Sequence, residues 1–324
     1  KPDRNAACSL EDKNLYEMNY EQSLTVKRFP KEGQDIRMGT AAYHAERELD
    51  EVMYQDSGIY RNQQYGRALS VSLQTMYEEI SILWNQEVKY RPNFAVTDHV
   101  VSVPVIFAKV SGVRDGQINR YWSDIHALVT PDTFVIRKAP HISPTDQNPM
   151  KAHVTGFFKN GKLQREKIKA HACYSYEFLR EEIQEHILDK LQLLIDQRLI
   201  RGTFENGTEY TILAVVLNLE KEILRLLQRF DFTKKNPKLI YIHTTETMIS
   251  LEDSILTAFL NLAGFDVVFF VPTGYQCIEK YFNREVMEEH QAGEYLYDLQ
   301  APSFQAAPSG TRRSWRDIIF KRGN

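Results

Sequence analysis

Two short loops have the composition to hold an anion. "PTGY" at residues 272–275 and "HTTE" at 243–246 each follow an apolar run, and each offers hydroxyl groups beside a turn. A glycine next to a helix start lets backbone N–H groups approach a phosphate, and the helix dipole favours its charge. Thr273, Gly274 and Tyr275 would then cradle phosphate, with Thr244 and Thr245 at the neighbouring loop. Turn chemistry alone also produces a Pro-Thr-Gly-Tyr sequence, and neither a Walker pattern nor a GxGxxG fingerprint is present. In "EHQAGEYLYDL" (289–299), Glu294 beside Gly293 suits a ribose hydroxyl or acid/base work, with His290 close by. The same two residues, four apart, would equally pair on a helix surface.

Arginines alternate with aromatic residues in "GIYRNQQYGR" (58–67) and "NRYWSDIH" (119–126), so Arg61, Arg67 and Arg120 suit clamping a phosphate while rings stack on a base or sugar. A helix surface explains them as well, and Arg61 is the one carried forward as a clamp. His141, Asp146, His153, His171 and Cys173 match no structural zinc spacing, so no metal is assigned. Cys8, Cys173 and Cys277 lie far apart and odd in number, which argues against a disulfide framework and suits a reducing compartment.

The elements that must position these residues follow from periodicity. Apolar residues from Leu69 to Val88 recur at three and four, the spacing of a helix about six turns long. "HVVSVPVIFAKV" (99–110), interrupted by Pro104, reads as a strand, "QINRYWSDIHALV" as a short helix and "DTFVIRK" (132–138) as another strand. Pro-rich "APHISPTDQNPMK" (139–151) marks a boundary. The middle is helical: a stripe from Leu179 to Ile195 forms one long helix and a second runs from Thr208 to about Arg229, the two making a hairpin. "PKLIYIHTTE" and "FDVVFFV" are strands flanking a helix that Ser250 caps and Gly264 ends. "FDVVFFV" is apolar on both faces, as in a parallel sheet covered on two sides. With a helix expected after "PTGY", this is a βαβ unit carrying its loops where ligands bind.

The expected fold is therefore α/β: a C-terminal Rossmann-like parallel βαβ unit (233–300), a helical middle (151–232) and a smaller N-terminal α/β unit (46–150). An irregular segment (1–45) precedes them, and a linker with a basic amphipathic tail (301–324) follows.

With 324 residues, 43% hydrophobic and 26% charged, the chain has the composition of a globular protein. A net charge of -3 gives no attraction to nucleic acid. The longest apolar run, "TILAVVLNL" (211–219), is too short to span a bilayer and is bounded by Glu209 and Glu220, so the cytoplasm is the expected location. The start at Lys1 suggests part of a longer chain.

"SLEDSILTAFLNLAGFDVVFFVPTGYQCIEKYF", "EHQAGEYLYDL", "RRSWRDIIFKRG" and the earlier "YRNQQYGRALSVSLQTMYEEISILWNQEVKYRPNF" together resemble the YceG-like family found with bacterial tellurite-resistance and general stress genes. The resemblance implies a component of a biosynthetic module accompanying the Ter proteins, and a C-terminal portion of a longer member. It assigns no reaction. The leading expectation is a cytoplasmic transferase handling a nucleotide, sugar nucleotide or other phosphorylated small molecule. Thr273 to Tyr275 would hold phosphate, Arg61 would clamp it, and Glu294 and His290 would serve catalysis. The alternatives are a non-catalytic scaffold for Ter-operon proteins, using the helical middle and the basic tail (deletion of 312–324 being its test), and a protein that binds the toxic oxyanion or a metal.

Overall fold

The computed structural model describes residues 68–303, except 98–99 and 232–233. Arg61, Arg67 and the basic tail lie outside the described residues. So do the expected clamp and the tail part of the expected scaffold surface, whereas its helical middle is described.

The chain runs through β1 (Ala68–Ser72), α1 (Tyr77–Asn85), β2 (Ala95–Val96), β3 (Val101–Val105), β4 (Phe107–Ser111), α2 (Ile118–Leu128) and β5 (Thr133–Ile136). A small hairpin of β6 (Phe158–Lys159) and β7 (Lys162–Leu163) leads to α3 (Arg165–Lys169), α4 (Glu181–Asp196), α5 (Thr208–Val216) and α6 (Lys221–Gln228). Then follow β8 (Lys238–Ile242), α7 (Leu251–Leu262), β9 (Asp266–Val271) and β10 (Glu288–Gln291). This is a mixed α/β fold with a central parallel sheet.

That sheet has five strands in the order β10-β4-β9-β8-β5, every neighbouring pair parallel. Its strands come from 107–136 and from 238–291, so early and late segments build one sheet. β8, α7 and β9 form the expected βαβ unit: Ser250 Oγ accepts the Asp253 N–H at the start of α7, and Gly264 follows its end at φ 110°. β9 is buried along its whole length between β4 and β8, which is why its six residues are apolar apart from Asp266. Ala108, Val110, Ile240, Ile242, Val268 and Phe270 face a core made with α1 and α2. Phe107, Leu239, Tyr241, Val267, Phe269 and Val271 face the larger core made with α4 to α7.

Four expectations are corrected. The six-turn helix from Leu69 is a strand and a nine-residue helix: residues 68–72 pair in parallel with β3, and their alternation imitated the start of a helical stripe. The single strand at 99–110 is two strands in different sheets, hinged at the buried Ile106. The helix expected from Thr208 to Arg229 breaks between Val216 and Lys221, where the buried Tyr176 hydroxyl donates to Val216 O and accepts from Leu219 N, both at 2.7 Å. Finally, no helix follows "PTGY"; a loop through the buried Cys277 and Ile278 ends in a 3-10 turn at Glu279–Tyr281. The dipole argument for phosphate at that loop goes with it.

Candidate functional site

Adjacent strands β4 and β9 send the chain to opposite faces of the sheet. From β4 it passes to α2, packed with the smaller core, and from β9 it passes to Cys277, Ile278 and Phe282 in the larger one. Such a divergence at the carboxyl ends of parallel strands opens a crevice, the common place for a ligand in open α/β sheets.

The expected loops converge there and largely close it. Val113 and Glu294 exchange two backbone hydrogen bonds, N to O 2.7 and 3.0 Å, and Leu296 N donates to Pro272 O at 2.9 Å. Gly112, at φ 79°, stands so near Gly293 that a Cβ would come within 2.5 Å of the Gly293 carbonyl oxygen. A Cβ on Gly274 would meet the Tyr295 ring at 2.3 Å. The glycines thus serve the close approach of one loop to another.

Thr273 is 3% exposed and its Oγ accepts from Tyr275 N, so its hydroxyl is engaged within the turn. Tyr275 is exposed. Thr244 and Thr245 lie in the turn after β8, where Thr245 Oγ is 2.7 Å from Thr247 Oγ. His290 lies on β10, with Nε2 3.2 Å from Thr75 Oγ, and Glu294 lies in the following bridge; neither is on a helix. Arg120 stands on the surface of α2, 3.8 Å from Asp124. The His153 and His171 rings lie tilted against each other with centroids 4.4 Å apart, but among the described residues no three metal-capable side chains gather.

The sequence reading missed the group at the centre. Lys109 sits in the middle strand of the β10-β4-β9 trio, 1% exposed, on the face of Phe107. Its ammonium donates to Glu279 Oε1 at 2.6 Å and lies 3.0 Å from Glu289 Oε1. Ser111 Oγ donates to the same Glu289 oxygen at 3.3 Å, and Cys277 N donates to Glu279 Oε2 at 2.5 Å. Burial disfavours the lysine's charge, yet the hydrogen bonds to Glu279 and Glu289 and nearby negative charge outweigh it and raise its pKa. Burial pushes the Cys277 thiol well up, so it remains a neutral thiol rather than a nucleophile. Nearby, burial lowers the pKa of His243, whose Nε2 is 2.6 Å from Thr247 O. The signal was legible: "IFAKVS" places one lysine inside an apolar strand.

Glu279 and Glu289 line a cleft of about 880 Å³ on this face of the sheet. β1, the end of α7, the loop 197–201 and the segment 278–289 enclose it, with Arg201 and Arg284 among its walls.

Residues 74–313 match the YceG domain. The chain belongs to the YceG family. It is also similar to the uncharacterized protein YceG of Bacillus subtilis (strain 168), 26% identical over 301 residues. That alignment covers 90% of this chain and 55% of the relative, so the chain spans about half the length of the YceG relative it matches. No solved structure matches it. The YceG match encloses Lys109, Glu279 and Glu289. No described helix is long and apolar enough to cross a membrane.

Proposed function

We propose that the chain forms the ligand-binding part of a YceG-family transferase acting on a sugar nucleotide or another phosphorylated small molecule. In this reading the five-stranded sheet is Rossmann-like and its ligand occupies the cleft beside β4. One observation carries the proposal: a lysine buried on an inner strand of a parallel sheet and held between two glutamates at the cleft wall. A methionine or leucine would fill that position without the several kcal/mol of desolvation that an ion costs. Buried charge of this kind, beside an open cleft, concentrates at functional sites. Carboxylates suit the hydroxyls of a ribose or sugar, while Arg201 and Arg284 suit a diphosphate. Assignment to a stress-response or tellurite-resistance pathway in the cytoplasm rests on the family resemblance.

Thermal-shift titration of the chain with nucleoside diphosphates and sugar nucleotides tests the reading. Stabilisation should grow with ligand concentration above the dissociation constant. The absence of a shift with every nucleotide would overturn the proposal.

A further inference from the structure

The two glutamates on Lys109 are not equivalent. Glu279 is committed with both oxygens, one to the lysine and the other to the Cys277 backbone N–H. Glu289 directs one oxygen, Oε1, to both Lys109 and Ser111, and its side chain is 55% exposed. Its Oε2 has no partner among the described residues and belongs to a residue that lines the cleft.

Other acceptors are left over on the same wall. Asn261, 6% exposed, donates through Nδ2 to Ile106 O at 3.0 Å and Phe265 O at 3.2 Å, so its amide oxygen remains. Ser70 donates its hydroxyl proton to Leu262 O at 2.8 Å, which leaves its oxygen lone pairs. Acceptors left over at Glu289, Asn261 and Ser70 on one wall suit a ligand group that brings donors. Ammonium groups and hydroxyl groups both qualify. Arg201 and Arg284 on the same cleft disfavour a polycation, and hydroxyl groups remain.

We propose that Glu289 binds the hydroxyls of a polyhydroxylated ring, the sugar portion of the ligand, and that Lys109 and Glu279 are positioning residues that hold it. This rests on the proposed sugar-nucleotide reading for the ligand's other half only.

The experiment is a thermal-shift and calorimetric titration of the full chain and its Glu289→Ala variant. The probes are UDP-glucose, UDP-galactose and GDP-mannose, the parent diphosphates UDP and GDP, and free glucose, galactose and mannose. Circular dichroism checks that the variant folds. Glu289→Gln is the second variant, because it keeps an oxygen acceptor and the local volume while removing the charge. The expected result is that a sugar nucleotide or free sugar binds the parent chain and loses about ten- to a hundredfold in affinity on Glu289→Ala, as for a hydrogen bond to a charged group. Affinity for UDP or GDP should be unchanged by the variant. Equal sugar affinity in parent and both variants would overturn the assignment, as would failure of every sugar-bearing probe to bind the parent. Sugar binding that depends on Glu289, with no response to UDP or GDP, would instead remove the nucleotide reading and leave this one standing.

Discussion

Arg91 and Asp266 meet fork to fork inside the protein, Nη1 to Oδ1 at 2.8 Å and Nη2 to Oδ2 at 2.7 Å, with neither side chain exposed. The guanidinium also donates to Pro104 O and Leu83 O, and Asp266 accepts the Ile106 N–H at 2.9 Å. One ion pair thus joins the segment after α1, the hinge between β3 and β4, and the start of β9. Removing one partner leaves the other charged and dry, so Arg91→Met should cost about 3–5 kcal/mol. Urea unfolding measures it. The double variant Arg91→Met/Asp266→Leu should lose less than the sum of the single losses, because neither charge is then stranded.

Tyr176→Phe tests the break between α5 and α6. Its hydroxyl satisfies Val216 O and Leu219 N where the helix is interrupted, and the ring is fully buried. The variant keeps the ring and strands two backbone groups. A loss of about 1–3 kcal/mol is expected by chemical denaturation.

His141 makes stability depend on pH. Burial works against its charged form, but Glu220, 2.8 Å from Nε2, and the charges of Asp253 and Asp146 outweigh that and raise its pKa. A raised folded pKa means that the native state holds the proton more tightly than the unfolded chain. The contribution is complete below the unfolded value near 6.5 and disappears as pH rises through the folded value. Comparing His141→Gln with the parent, the difference in unfolding free energy should therefore be largest below about pH 6 and shrink as the pH rises above that window.

Lys109→Met and Thr273→Ala separate a ligand site from a turn. The first should weaken the thermal shift given by sugar nucleotides and leave the shift given by UDP or GDP in place. It should destabilise less than Arg91→Met, because the side chains of Glu279 and Glu289 are 29% and 55% exposed and can rehydrate. The second should leave any ligand response intact and cost about 1 kcal/mol, since the Thr273 hydroxyl serves Tyr275 N within its own loop. The opposite pattern in the titrations would return the site to the "PTGY" loop.

What the sequence revealed follows from range. "FDVVFFV" announces a strand covered on both faces because its neighbours lie on either side of it, and Ser250 announces a helix start because its partner is three residues away. The strand at 68–72 misled because its pairing partner, β3, is outside any local window. The end of the sheet that bears the loops was also legible, since the βαβ pattern fixes which end that is. The lysine site was not, because Lys109, Glu279 and Glu289 are brought together only by the order of β10, β4 and β9. A charged residue inside "IFAKVS" gave the one local sign, and it points to a partner without naming it.

The strand order also bears on how the chain is made. β4 lies between β9 and β10, and the bond from Ile106 to Asp266 already spans 160 residues. On a ribosome the apolar β4 emerges long before either neighbour and waits with both edges bare, a state that invites wrong pairing. Nascent chains halted before residue 266 should therefore be far more prone to aggregate, and more dependent on chaperones, than chains extended past residue 291.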